Sequence, residues 1–199
     1  MIEMIETIGA WKNNAELIAD AASLGYIHGD ILDATYGLGR FWSLLPEVEP
    51  SVVKNDADPE RGDFHSDFCS FPKDWQASFD TTIFDPPYKL NGTPSLPMDN
   101  DYGANVATTL KDKLSLIENG AIECLRVTRS KGYLLVKVMD QVASGRMWWQ
   151  TDLVTQALSE SARKVAVFHL KGRTRKQPAG RRQLHPRNTH STLMVFKKN

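Results

Sequence analysis

The chain has 199 residues, with 24 Lys/Arg against 24 Asp/Glu, so it carries no net charge and is sized for a single domain. No apolar run approaches the ~18–20 residues of a membrane span, and the start of the chain has no basic segment followed by an apolar core, which excludes a membrane or secretory reading and predicts a cytoplasmic protein. Cys69 and Cys124 stand outside any metal-ligand spacing, so they read as reduced thiols and no metal is expected.

Leu17, Ile18, Ala21, Ala22 and Leu24 repeat with a helical period and predict an amphipathic helix over about 13–25. "GDILDATYGLGRFW" then reads as a short apolar strand, an acid and a glycine-rich turn. "SVVKNDADPE" is a second strand ending in acids, and "DFHSDF" a weak third with one or two residues of ladder. "FDTTIFDPPY" is a β-branched strand that Pro86 and Pro87 stop, because proline has no N–H to give a sheet. Residues 89–105 are rich in Gly, Pro, Asn and Asp and read as a long loop of the kind that forms lids.

Val106, Leu110, Leu114, Ile117, Ala121, Ile122 and Leu125 predict a long helix, and "GYLLVKVMD" a strand apolar on both faces. Leu153, Val154, Ala157, Leu158 and Ala162 mark a further helix. "KVAVFHL" and "STLMVFKK" are the last strands; no helix separates them, so they should pair antiparallel around a basic loop at 171–190. The alternation predicts an α/β protein with a mainly parallel sheet, a C-terminal antiparallel hairpin strand and helices on both faces.

The zero net charge hides an asymmetry. Residues 161–199 contain eleven Lys/Arg and no acid, which leaves thirteen bases and twenty-four acids in the rest. Lys171, Arg173, Arg175, Lys176, Arg181, Arg182 and Arg187 lie in the loop, where Gly and Pro keep the backbone irregular. Such a block suits phosphate contacts with nucleic acid, and also suits a solvated surface with no partner.

Ligands of open α/β sheets bind beyond the carboxyl ends of the strands. The residues that close the predicted strands should therefore meet at one edge: Asp33, Gly37 and Gly39, then Asp56, Asp67, and Asp85-Pro86-Pro87-Tyr88. A single acid at a strand end is most often a cap or turn former. Four residues such as Asp85–Tyr88 answer no structural need together. Lys137, Asp140 and Gln141, around the end of a strand facing the same edge, suit the mouth of a substrate site. Trp148 and Trp149 suit stacking on nucleotides as well as packing of the next helix.

In order and spacing, these motifs resemble the class I S-adenosylmethionine-dependent methyltransferases, and within them the Rossmann-like amino-methyltransferases of nucleic acids that carry DPPY. The resemblance covers about residues 10–199 as a single domain. It implies S-adenosylmethionine as cofactor. Gly37 and Gly39 would lie under its methionine part, with Ala34 and Tyr36 beside them. Asp33 would be near its amino group, Asp56 on the ribose hydroxyls with Ala57 alongside, Asp67 on the adenine amino group and Phe68 against that ring. Lys12 falls where the family has a segment touching the cofactor carboxylate. Asp85 and the Pro86 carbonyl would accept hydrogen bonds from an exocyclic amino group, Pro87 would stiffen the turn and Tyr88 would stack the base.

The resemblance ranks adenine N6 in DNA first. RNA methylation at adenine N6 or guanine N2, cytosine N4, and a protein glutamine amide are its alternatives. A nucleic-acid-binding module with a vestigial cofactor pocket is the reading from another class. The chain has no room for a separate target-recognition domain, which implies low sequence specificity, or recognition supplied by a partner subunit or a second copy of the chain.

Overall fold

A computed structural model describes residues 4–90, 109–172 and 182–199. In chain order the elements are α1 (Asn14–Ser23), β1 (Ile31–Asp33), β2 (Val52–Lys54), β3 (Phe79–Phe84), α2 (Leu110–Val127), β4 (Thr128–Val138), β5 (Gln141–Ala143), β6 (Arg146–Trp148), α3 (Gln150–Leu158), β7 (Ala162–Lys171) and β8 (His190–Lys198). Six strands form one sheet in the order β2-β1-β3-β4-β8-β7; β8 runs antiparallel to both its neighbours, and the other pairings are parallel. The mainly parallel Rossmann-like sheet with its antiparallel C-terminal strand is thus as expected.

The strands alternate between two cores. Ile31, Ile83, Leu135, Leu193 and Val195 face α1 through Leu17, Ile18 and Ala21. Leu32, Phe84, Leu134, Val136, Met194 and Phe196 face α2 and α3 through Ile117, Ala121, Cys124, Val154 and Leu158. This period-2 division is what a sheet covered on both sides requires. Asn13 caps α1 by accepting from Glu16 N, and Thr109 with Asp112 forms a capping box at the start of α2. Among the described residues no helix is long and apolar enough to cross a membrane.

The weak third strand has the short ladder expected of it, a single parallel bridge from Asn55 to Phe64. Other boundaries differ from expectation. Ala162 opens β7 instead of closing α3, because Leu158 ends the buried helical stripe. The stretch around 140–150, between a predicted strand and a predicted helix, holds the β5–β6 hairpin. Val106, residues 91–105 of the long loop, and Arg173, Arg175, Lys176 and Arg181 lie outside the described residues.

Gly120 lets α2 sit tightly on the end of β3: a Cβ there would press into the rings of Phe84 and Phe68. Phe84 immediately precedes Asp85. Gly120→Val is therefore expected to cost about 1–3 kcal/mol by overpacking, read as a lower urea midpoint. An unchanged midpoint would contradict this close approach.

Candidate active site

The strand order reverses between β1 and β3, where the chain leaves β1 for β2 on one side and later returns on the other. A crevice opens at such a switch point, outside the carboxyl ends of the strands. The polar residues that close β1, β2 and β3 do gather there, tied to one another through the backbone. Asn55 N donates to Asp33 O, Ala34 N to Ile83 O and Tyr36 N to Asn55 O, each at 2.9 Å. Thr35 Oγ1 accepts from Asp85 N at 2.8 Å, so the glycine-rich turn and the Asp85 loop are one unit.

The turn has the conformation that its glycines permit. Gly37 and Gly39 have φ of 58° and 65°, a left-handed backbone that other residues avoid. A Cβ at Gly39 would lie 2.5 Å from Tyr36 Oη, whereas at Gly37 it would meet nothing closer than Thr35 O at 3.9 Å, which leaves the turn open to a ligand. Gly37 N donates to Asp56 Oδ2 at 2.7 Å, and Asp56 Oδ1 accepts from Asp58 N at 2.9 Å. Each oxygen keeps a second acceptor direction, and the Asp56 side chain is only half-buried, with Ala57 exposed next to it. Tyr36 Oη donates to Glu49 at 2.9 Å, and Glu49 pairs with Lys54.

Asp33 is 1% exposed. Its carboxylate accepts from Thr35 N at 3.1 Å and Trp42 Nε1 at 2.8 Å. Burial outweighs these two bonds and pushes its carboxyl up to about 7, with Asp85 and Asp56 adding to the shift. Asp67 is exposed and accepts from Cys69 N at 2.9 Å, while Phe68 is partly buried, edge-on to Phe84 at 5.1 Å between ring centroids. Lys12 is exposed just ahead of α1, its backbone N–H donating to Glu16.

Asp85 follows β3, its side chain 14% exposed, with Pro86 buried and Pro87 and Tyr88 half-buried behind it. Lys137, near the end of β4 and 2% exposed, donates to both Asp85 oxygens at 3.1 and 3.3 Å and to Tyr88 Oη at 3.2 Å. Its ammonium also lies 4.9 Å from the centre of the Tyr88 ring. Burial raises the Asp85 carboxyl above its ordinary value, against the pull of Lys137. Burial alone would lower the Lys137 ammonium, but Asp85 and Tyr88 reverse this and hold it protonated. Asp85 and Lys137 are thus in direct contact, the lysine favouring the charged form of a carboxyl whose burial disfavours it.

The Tyr88 carbonyl accepts from Gln141 Nε2 at 2.9 Å and from Gln150 Nε2 at 3.0 Å. Asp140, by contrast, is engaged with α3: it accepts from Thr151 N and Oγ1 at the first turn of that helix.

Residues that no sequence motif marks complete the frame. Asn55, 1% exposed, donates to Ala34 O and Ser66 O and accepts from Ser66 N, which locks the end of β2 to the turn and to the Asp67 segment. Trp42 and Thr35 hold Asp33 and Asp85 in the same way. A polar residue directly before Asp56 is the only sequence signal that points to Asn55.

The basic loop leaves the sheet at this same edge. β7 runs parallel to β4, and Lys171, at its end, pairs with His190 at the start of β8. Lys171, Arg182 and Arg187 are exposed. Trp148 is half-buried against its own hairpin, Nε1 donating to Ala143 O at 3.1 Å, and Trp149 is 56% exposed.

No protein-family model and no curated protein sequence matches the chain. Its fold is similar to that of the N-methyltransferase NodS from Bradyrhizobium japonicum WM9, with a TM-score of 0.54, 12% identity, and coverage of 92% of this chain and 93% of that one. It is similar to the 1,6-didemethyltoxoflavin-N1-methyltransferase of Burkholderia thailandensis, with a TM-score of 0.52, 13% identity, and coverage of 93% and 76%. It is also similar to the MccD protein, with a TM-score of 0.59, 11% identity, and coverage of 92% and 96%. At such identities the likeness is one of fold, the Rossmann-like fold of methyltransferases.

Proposed function

We propose that the protein is an S-adenosylmethionine-dependent methyltransferase acting on the exocyclic amino group of a nucleic-acid base, adenine N6 in DNA before the alternatives. One observation carries the reading: Asp85-Pro86-Pro87-Tyr88 stands at the switch point, hydrogen-bonded to the open glycine-rich turn, with Asp85 accepting from a buried lysine. The methyltransferase fold supports the cofactor, and the basic loop at the same edge supports the nucleic acid.

The residues present fit the cofactor. Asp33, Gly37, Gly39, Asp56, Asp67 and Phe68 would hold it, with an open turn, a half-buried acid for hydroxyl groups and an exposed acid for an amino group. When bound, S-adenosylmethionine supplies an electrophilic methyl group on a sulfonium sulfur.

The protein's part is positioning and electrostatics. An aromatic amino nitrogen shares its lone pair with the ring and is a poor nucleophile. Asp85 accepts one of its N–H groups and the Pro86 carbonyl the other. Two acceptors favour a pyramidal nitrogen and free its lone pair to form the new N–C bond. Lys137 favours the charged form of Asp85, which makes it a better acceptor and a poorer proton trap, and the surplus proton leaves to water after the bond has formed. Tyr88, fixed at its hydroxyl by Lys137 and at its carbonyl by Gln141 and Gln150, offers its ring to the base. A base in a duplex reaches this crevice only by flipping out, at a cost of a few kcal/mol.

Asp33 gives this reading a pH signature. Its carboxyl is half-protonated near pH 7 in the free protein. A cationic ligand beside it would lower that value and release a proton. Cofactor affinity should therefore rise with pH, by up to about tenfold per unit below pH 7, and level off above it. Calorimetry at pH 6 and pH 8 measures this, and in Asp33→Asn the dependence should vanish. The same dependence in both proteins would remove Asp33 from the cofactor site.

The polymer is tested by incubating the protein with labelled S-adenosylmethionine and, in parallel, double-stranded DNA, single-stranded DNA and RNA. Label in DNA is expected. Label in RNA alone would keep the chemistry and replace the substrate.

A further inference from the structure

The β5–β6 hairpin is a two-stranded sheet of its own, outside the six-stranded sheet, with Ala143 its buried residue. Two residues separate the hairpin from β4, and its strands join through Ser144 and Gly145, whose φ values of 49° and 76° make a two-residue turn with the hand that suits a twisted ribbon. Both feet of the hairpin are bolted to the catalytic loop. Gln141 opens it and Gln150 follows it, and both donate to the Tyr88 carbonyl. Gln141 also accepts from Leu90 N at 3.4 Å.

Its pairings are Gln141 with Trp148 and Ala143 with Arg146, so these four side chains share one face. That face starts at the Tyr88 carbonyl and presents Trp148, then Arg146 about 7 Å further out, two residues at ~3.4 Å each. Arg146 is exposed, and its guanidinium lies over the Trp148 ring at 4.9 Å. Among the described residues it has no carboxylate partner. A guanidinium held over a ring, with no carboxylate partner among the described residues, is a pre-set fork for a planar acceptor edge. Around it the tip is open: a Cβ at Gly145 would meet nothing within 4 Å. The segment that carries Arg182 and Arg187 reaches the same tip, where His185 Nε2 is 2.9 Å from Gly145 O.

We propose that this hairpin is the duplex-reading element of the enzyme. A two-stranded ribbon fits the major groove of DNA, and an arginine there pairs with the O6/N7 edge of guanine. Arg146 reads a base beside the target, Trp148 supports it, and Arg182 and Arg187 meet the phosphates of the same duplex. The glutamine feet fix the distance from the base that is read to the base that is methylated. This proposal rests on the DNA reading above and places target recognition within the chain, in the short span from Gln141 to Trp148, without a separate domain.

The test is binding of the full-length protein to a short duplex at several salt concentrations, together with sequencing of the methylated sites. Arg146→Ala should weaken binding at least about fivefold and broaden the set of methylated sequences. Arg146→Lys keeps the charge and loses the fork, so it should restore the salt dependence but not the sequence preference. Arg163→Ala, at the opposite edge of the sheet, is the control. If DNA is methylated and both Arg146 variants match Arg163→Ala in affinity and sequence preference, the hairpin has no reading role and the enzyme's function stands. If the unmodified protein neither binds nor methylates DNA, the hairpin proposal and the DNA reading fall together.

Discussion

Asp85→Asn should lower the rate of methyl transfer about 10²–10³-fold, the scale of losing one preorganised charge contact at a reacting centre, while cofactor binding stays as it was. The asparagine keeps the shape and one acceptor oxygen. Its amide group, however, turns an N–H towards the amino group it should accept from. Asp56, not Asp85, lies at the ribose end of the crevice in this mechanism, so calorimetry with the cofactor should not distinguish Asp85→Asn from the unmodified protein. Loss of cofactor affinity would show that Asp85 has been given the wrong role. Asparagine serves this test better than alanine, because its amide oxygen can still accept from the Lys137 ammonium, 2% exposed, whereas Asp85→Ala would remove both the charge and the acceptor. Removing one partner of a buried pair costs about 3–5 kcal/mol, enough to confuse lost function with lost fold.

The converse change has the largest expected effect on stability. In Lys137→Met the Asp85 carboxylate stays largely buried and loses the ammonium that pairs with it. We expect a loss of about 3–5 kcal/mol at neutral pH. The sign with pH follows from Asp85. Its carboxyl is already raised by burial, with Lys137 pulling it down; without the lysine it rises further. A group whose folded-state value is raised favours the fold in its neutral form, and that contribution fades as pH climbs through the raised value. The deficit of Lys137→Met should therefore be greatest at neutral pH and shrink towards pH 4. The acid limb of its residual activity should move to higher pH. Asp85→Asn/Lys137→Met, which removes both charges, should be more stable than the two single changes predict together. Urea denaturation across pH measures all three proteins, and additive losses would mean that the two charges are not coupled.

The parts of this site that are legible in the sequence are those built by chain order. A strand that ends in an acid, a left-handed turn that needs glycine, and two prolines that forbid further ladder are local signals, so Asp33, Gly37, Gly39, Asp56 and Asp85 fall at one edge on chain order alone. Lys137 reads in sequence only as a residue at the mouth of the site. A charge inside the apolar run "YLLVKVMD" has to be compensated, but its partner lies 52 residues away, and only the pairing of β3 with β4 brings them together. Asn55 and Trp42 stay hidden for the same reason, since their work is to join segments distant in sequence. The hairpin stays hidden because three-residue strands are too short to show an alternating pattern; the Ser144-Gly145 pair is its one local mark. Ala162 reads as helical because a small apolar residue fits the end of a helical stripe as well as the start of a strand.

The most direct measurement of the central claim is mass spectrometry of nucleosides from duplex DNA incubated with S-adenosylmethionine and either the unmodified protein or Asp85→Asn. N6-methyladenine is expected with the unmodified protein and almost none with the variant. A methylated product formed equally well by Asp85→Asn, or a methyl group found on a ring carbon instead of an exocyclic nitrogen, would contradict the role given to Asp85 and its neighbours.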